Sequence, residues 1–226
     1  MYSISTEHLS LTYRVREPQV TPAIRRAVIL LHGVGSNEND LFGLEDQLPD
    51  DLYVVAPRGT FVLGSGRFAW YDVDFSSGRP VIDAKQEALS REVIHAFVKQ
   101  LKQKYRLDEV YLGGFSQGAI VGYSFGLTHP NEIQGIIALS GRLLDEIKPL
   151  VSQQADLSHV RVFLAHGVHD NVLGVHYARE ARKYLEGLHV SVDYHEYGTA
   201  HGIDENILHD LRVWLASLKS SDGESQ

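Results

Sequence analysis

At 226 residues, 43% hydrophobic and 22% charged, the chain has the length and composition of one globular domain with a substantial core. Its formal net charge of −8 argues against nucleic acid and anionic membranes as partners, since both call for a basic surface. The absence of cysteine excludes disulfides, thiolate metal ligands and a cysteine nucleophile. No run of about 18 apolar residues offers stable membrane insertion. Met1 is followed by Tyr-Ser-Ile-Ser-Thr-Glu, without the basic start or apolar run of a secretory signal, so the chain reads as cytoplasmic.

Leu9, Leu11, Tyr13 and Val15 alternate with polar residues, the period of a half-buried strand at a sheet edge, and Pro18 and Pro22 close it. Ala27 to Leu31 are uniformly apolar, which marks a strand covered on both faces, and they run into His32-Gly-Val-Gly35. Residues 39–48 predict a short helix with Leu41, Leu44 and Leu48 on one side. Leu52 to Ala56 predict a second buried strand, ended by Pro57-Arg-Gly59. An irregular stretch then runs to Val81 and holds Phe61, Phe68, Trp70, Tyr71 and Phe75 among glycines. A loop that long inside a compact domain tends to be functional.

Residues 83–105 predict a long helix with Leu89, Val93, Phe97 and Leu101 on its buried face. Val110 to Leu112 end another buried strand, residues 119–127 continue at helical spacing, and Pro130 marks a stop. Further strands are predicted over 135–139, 160–165 and 190–194, and further helices over 175–187 and 203–218; residues 219–226 read as a solvated tail. Strands alternating with helices predict one α/β domain over 1–226, with a mainly parallel sheet, helices on both faces, and the strand carboxyl ends gathered on one rim. Too few residues separate Leu139 from Val160 for a cap domain, which needs about 50 or more.

Ser116 sits on that rim between Gly114 and Gly118, where the chain passes from strand to helix within two or three residues. So sharp a turn strains the central residue and leaves no room for side chains beside it, which makes Ser116 the candidate nucleophile of a strand-to-helix elbow. A serine hydroxyl needs a base, and the base an orienting acid. Of twelve histidines, His201 alone lies in a glycine-flanked loop between the final strand and the final helix. Asp170 ends the loop after a buried strand, with Asp156, Asp193 and Asp204 as its rivals. The order Ser, Asp, His is the one used by α/β-hydrolases. Donors for an oxyanion are expected from the N–H groups of Gln117 and Val34, with His32 bracing the loop that carries Val34. Trp70 and Tyr71 are expected to wall the substrate cleft. His166, His169 and His176 with Asp170 could form a metal cluster, but their spacing suggests no open three-ligand site, so neither metal nor cofactor is expected.

These residues resemble the phospholipase/carboxylesterase family of serine hydrolases, which includes the acyl-protein thioesterases. The matching blocks are Leu31-His-Gly-Val-Gly35, Ala56-Pro-Arg-Gly59, Trp70-Tyr-Asp72, Gly114-Phe-Ser-Gln-Gly118, His166-Gly-x-x-Asp170 and Ala200-His-Gly202. The resemblance implies an α/β-hydrolase fold and metal-independent hydrolysis of esters or thioesters by Ser116, Asp170 and His201. Thioesterase members usually carry Leu-Gly-Asp where this chain has Val34-Gly35-Ser36, and a proline followed by Val or Ile where it has Asn171-Val172-Leu173. Both departures fall beside the expected acyl pocket, so Val172 and Leu173 join the candidate cleft. The Pro-Arg-Gly block is more similar to the bacterial esterase branch.

The reading is a serine carboxylesterase acting on short-chain or aryl esters through an acyl-enzyme. An acyl-protein thioesterase or lysophospholipase of the same chemistry, and an idle ligand-binding scaffold, are the alternatives. The expected partner is a small-molecule ester, and a homodimer is left open. Arg58, Arg67 and Arg142 are read as surface or structural arginines that would favour an acidic leaving group only on reaching the rim.

Overall fold

The computed structural model describes residues 4–74, 76, 80–151 and 156–218, so the tail 219–226 and Phe75 lie outside the described residues. The N-terminal alternation resolves into two strands rather than one. β1 (Ile4–His8) and β2 (Thr12–Arg16) form an antiparallel hairpin, and Leu9 N–H donates to Leu11 O in the turn. Leu11, Tyr13 and Val15 are buried on one side, which produces the alternation although the chain reverses just before them. The sheet edge is therefore β1, and β2 lies inside it.

β3 (Arg26–Leu31) and β4 (Leu52–Pro57) are buried throughout, as their apolar runs predict. A 3-10 helix over Leu41–Gln47 connects them, held against the sheet by Arg16, whose guanidinium donates to the carbonyls of Glu45, Leu48, Pro49 and Leu52. Among the described residues, the stretch after β4 is not irregular throughout. It holds two small antiparallel hairpins, β5 (Phe61–Gly64) with β6 (Arg67–Ala69), and β7 (Val73–Asp74) with β8 (Val81–Ile82). Strands so short have no room to display a period.

α1 (Ala84–Tyr105) is capped by Asp83, whose carboxylate accepts from the N–H groups of Lys85 and Gln86. Its core face is Ile94, Phe97, Val98, Leu101 and Tyr105, whereas Leu89 is 54% exposed. Successive four-residue steps each advance about 40° around a helix, so a string of them spirals off the buried stripe. β9 (Glu109–Phe115), α2 (Gln117–Thr128), β10 (Gly135–Leu139), β11 (Arg161–Gly167), α3 (His176–Gly187), β12 (Ser191–Tyr197) and α4 (Glu205–Ser217) complete the chain.

The eight-stranded sheet runs β1-β2-β4-β3-β9-β10-β11-β12, parallel from β4 onward. Alternate residues of each central strand feed two cores. Ala27, Ile29 and Leu31 pack on the side of α1, α2 and α3, while Val28 and Leu30 face α4 and the 3-10 helix. This is the α/β-hydrolase arrangement. The described residues between β10 and β11 hold one short 3-10 turn, Lys148–Leu150, and no cap domain. No helix among the described residues is long and apolar enough to cross a membrane.

Candidate active site

Ser116 stands between β9 and α2 with φ 54° and ψ −116°, a conformation that costs a non-glycine residue on the order of 1–3 kcal/mol. Its surroundings hold it there. A Cβ added to Gly114 or to Gly118 would lie 1.9 Å from Leu31 O, so the elbow closes against β3 only because both residues are glycine. Ser116 N–H donates to Leu139 O at 2.9 Å, tying the turn to the neighbouring strand end.

His201 Nε2 lies 3.0 Å from Ser116 Oγ, and His201 Nδ1 lies 2.6 Å from Asp170 Oδ2. The Asp170 side chain is fully buried, while the imidazole of His201 is 15% exposed. Burial is the largest influence on Asp170 and pushes its pKa up. The His201 ring and the N–H groups of Leu173 and Val172, both 2.8 Å from Oδ1, together hold it below the usual aspartate range. An ionised Asp170 can only accept, so Nδ1 of His201 carries the proton, and in the neutral ring Nε2 is left to accept from Ser116 Oγ–H. Such a chain of bonds can draw a proton from a serine hydroxyl.

His166 lies 3.3 Å from Asp170 Oδ2, but burial lowers its pKa and keeps it neutral, with Nε2–H donating to Leu173 O at 2.7 Å. It braces the Asp170 loop from behind. The rival acids are occupied elsewhere: Asp193 lies 2.9 Å from His195, Asp204 caps α4 at Ile207 N–H, and Asp156 accepts from Ser158 N–H.

Ser116 opens into a cavity of about 430 Å³, counting the solvent at its mouth. Val34, Val172 and Leu173 line it from the rim loops, Ile120 from α2, and Tyr71, Val73, Pro80 and Ile82 from the hairpin segment. Trp70 departs from the expected wall. It is fully buried behind the cavity, with its indole N–H donating to His32 O at 2.9 Å. Gln117 N–H is the first of α2 and has no intrahelical partner, and Val34 N–H has no acceptor among the described residues. His32 braces the Val34 loop: Nδ1–H donates to Gly33 O at 2.7 Å, and Nε2 accepts from Gly59 N–H at 2.9 Å. Burial lowers its pKa, consistent with a neutral ring serving both bonds.

One feature escaped sequence reasoning, and one that it left open is decided by the structure. The side chain of Gln117 clamps the aromatic segment, Oε1 accepting from Trp70 N–H at 2.9 Å and Nε2–H donating to Tyr71 O at 2.7 Å. Arg142 lines the cavity, whereas Arg58 is paired with Glu38 and Arg67 is exposed.

Residues 14–219 match the phospholipase/carboxylesterase family. The chain belongs to that family. By family it is a hydrolase of ester bonds. An acyl-protein thioesterase 1 from Kluyveromyces lactis is 30% identical over 219 residues, covering 89% of this chain and 96% of the relative. The crystal structure of esterase PE8 superposes with a TM-score of 0.78 at 27% identity, covering 95% of this chain and 98% of that one. A carboxylesterase from Mesorhizobium loti, 22% identical with a TM-score of 0.78 over 95% of this chain and 98% of its own, shares the fold. The family's span takes in Ser116, Asp170, His201 and every residue that lines the cavity.

Proposed function

We propose that the chain is a serine carboxylesterase for small esters. The observation that carries this reading is the unbroken relay from buried Asp170 through His201 to Ser116, at 2.6 and 3.0 Å, opening into an apolar cavity. Ser116 Oγ attacks the acyl carbonyl carbon as its proton passes to His201 Nε2, and the imidazolium is held by Asp170. The N–H groups of Gln117 and Val34 receive the oxyanion. The tetrahedral adduct collapses as His201 gives its proton to the departing alkoxide, leaving an acyl-serine. Water, deprotonated by the same ring, then frees the acid and restores Ser116.

A thioesterase reading is favoured by the name of the Kluyveromyces lactis relative. Against long lipid chains stands the cavity, walled by Tyr71, Val73, Pro80 and Ile82, because each methylene contributes about 0.8 kcal/mol only while it stays buried. Fluorophosphonate labelling, matched oxygen and thio esters, and an acyl-length series test both readings. We expect labelling at Ser116 and a kcat/KM that rises over the first few carbons and then levels off or falls. Absence of labelling and turnover in folded protein would leave an idle scaffold. A steady climb to about sixteen carbons would favour the lipid thioesterase.

A further inference from the structure

We propose that Arg142 is a specificity-determining residue and that the substrate is an ester bearing a free carboxylate on the half that enters the Ser116 cavity. Resting on the esterase reading, this names its substrate class. Arg142 follows β10 on the rim and lines the same cavity as Ser116 and Gln117, among otherwise mostly apolar groups. Its guanidinium offers five N–H donors. Against them stand one long hydrogen bond, 3.4 Å from Nη2 to Pro80 O, and the ring of Tyr177, whose centroid lies 5.7 Å away. No carboxylate among the described residues lies within 4.0 Å of it. The neighbouring carboxylate of Asp145 is bonded at 2.5 Å to Lys148 and feels the Arg142 charge only as a lesser influence. By contrast, Arg26 and Arg58 each have a carboxylate partner. In a chain of net charge −8, a guanidinium with no carboxylate in contact gives the cavity of the nucleophile one cationic group.

The backbone is arranged to bring it there. Ser140 adopts φ 51°, a left-handed conformation uncommon for a side chain other than glycine. At Gly141 a Cβ would lie 2.6 Å from Ala119 Cβ, so the loop presses directly onto α2 just before Arg142. A guanidinium presents the paired donors that a carboxylate accepts.

The other flank of His201 is different. The open groove there is lined by Leu41, Leu44, Phe115 and Ile203, and by the acidic Asp40. It suits an uncharged ester half and repels an anionic one.

Matched pairs test the idea: monoethyl glutarate against ethyl valerate places the carboxylate on the acyl side, and the butyrate ester of 3-hydroxypropanoate against propyl butyrate places it on the alcohol side. The quantity read is the ratio of kcat/KM within each pair. In Arg142→Met this ratio should fall roughly 10- to 100-fold in one of the two arms, with Arg142→Lys keeping part of it, the loss expected for charge-assisted hydrogen bonds. In the wild type, with no variant needed, the same ratio should fall as salt is raised. A ratio unmoved by substitution and by salt in both arms, with neutral esters still hydrolysed, would overturn the role of Arg142 alone. Failure of the folded wild type to hydrolyse any of the four esters would overturn it together with the esterase reading.

Discussion

The two sides of the cavity are held by opposite means. On the serine side, position comes from absent side chains: Gly114 and Gly118 let β9 and α2 close on Leu31 O, and the backbone alone fixes Ser116. On the aromatic side, small hairpins are held by polar side chains reaching back to backbone. Gln117 holds Trp70 N–H and Tyr71 O, Ser90 Oγ donates to Trp70 O, and Gln86 and Asp72 exchange two bonds. The first kind of construction fails all at once when an atom is added. The second loosens by degrees as bonds are removed. Gln117 joins the two, with its N–H beside the nucleophile and its side chain in the wall.

The largest effects belong to the serine side. Ser116→Ala and His201→Gln should each lower kcat by on the order of 10⁴-fold or more, with circular dichroism and melting unchanged. His195→Gln or His209→Gln proving as damaging in folded protein would assign the base elsewhere. Asp170→Asn should cost a comparable 10³- to 10⁴-fold, on the order seen when a triad base is held in the wrong tautomer. Its amide would face Nδ1 of His201 with N–H, moving the ring proton to Nε2, where it cannot accept from Ser116. Because Oδ1 would still accept from Val172 and Leu173, the fold should survive. Gly118→Val tests the backbone itself. The new side chain would have to displace Leu31 O, and soluble, folded protein with normal turnover would refute the account of the elbow.

Gln117→Leu should fall between these and the wild type. It orphans Trp70 N–H and Tyr71 O, two buried groups worth about 1–3 kcal/mol each. The melting temperature should drop and kcat/KM should fall by more than kcat as Tyr71 drifts from the cavity. Equal losses in kcat and kcat/KM would mean that Gln117 acts on the transition state alone.

The same contrast explains what was legible in the sequence. Uniformly apolar strands such as Ala27 to Leu31 leave no doubt of burial, and a serine between close-packed glycines restricts the backbone to few shapes, so the fold and the Ser116 elbow were readable from local residues. His201 and Asp170 were readable because topology places strand carboxyl ends on one rim. The wall was not, since strands of two to four residues carry no period and their anchors come from far along the chain: Gln117 is 46 residues from Tyr71 and Ser90 is 20 from Trp70. Trp70 among glycines gives no sign that its indole turns inward to His32 O. The sequence likewise left open that Arg142 reaches the cavity, because that depends on how tightly Gly141 packs against Ala119.

The smallest effect expected lies where the two constructions meet. Arg58, just after β4, donates through Nε to Glu38 Oε2 at 2.7 Å and rests over the Phe68 ring, joining the base of the wall to the loop that follows β3. The Arg58 bond is the main influence on Glu38 and holds its carboxyl below the usual range, against a smaller upward push from burial. A carboxylate whose folded pKa is depressed contributes stability that is present above its unfolded value of about 4.3 and is lost as pH falls through the folded value. The arginine side chain is 36% exposed, so solvent screens the pair and its contribution should be about 1 kcal/mol or less. In Arg58→Met the main downward influence is gone while burial and a lesser backbone hydrogen bond remain, so Glu38 should take up a proton at higher pH than in the wild type. The urea midpoint of the variant should therefore lie below that of the wild type at about pH 7, and the gap should narrow as pH falls below about 4. A gap that stays constant across that range would mean that Arg58 stabilises through its packing on Phe68 and not through Glu38.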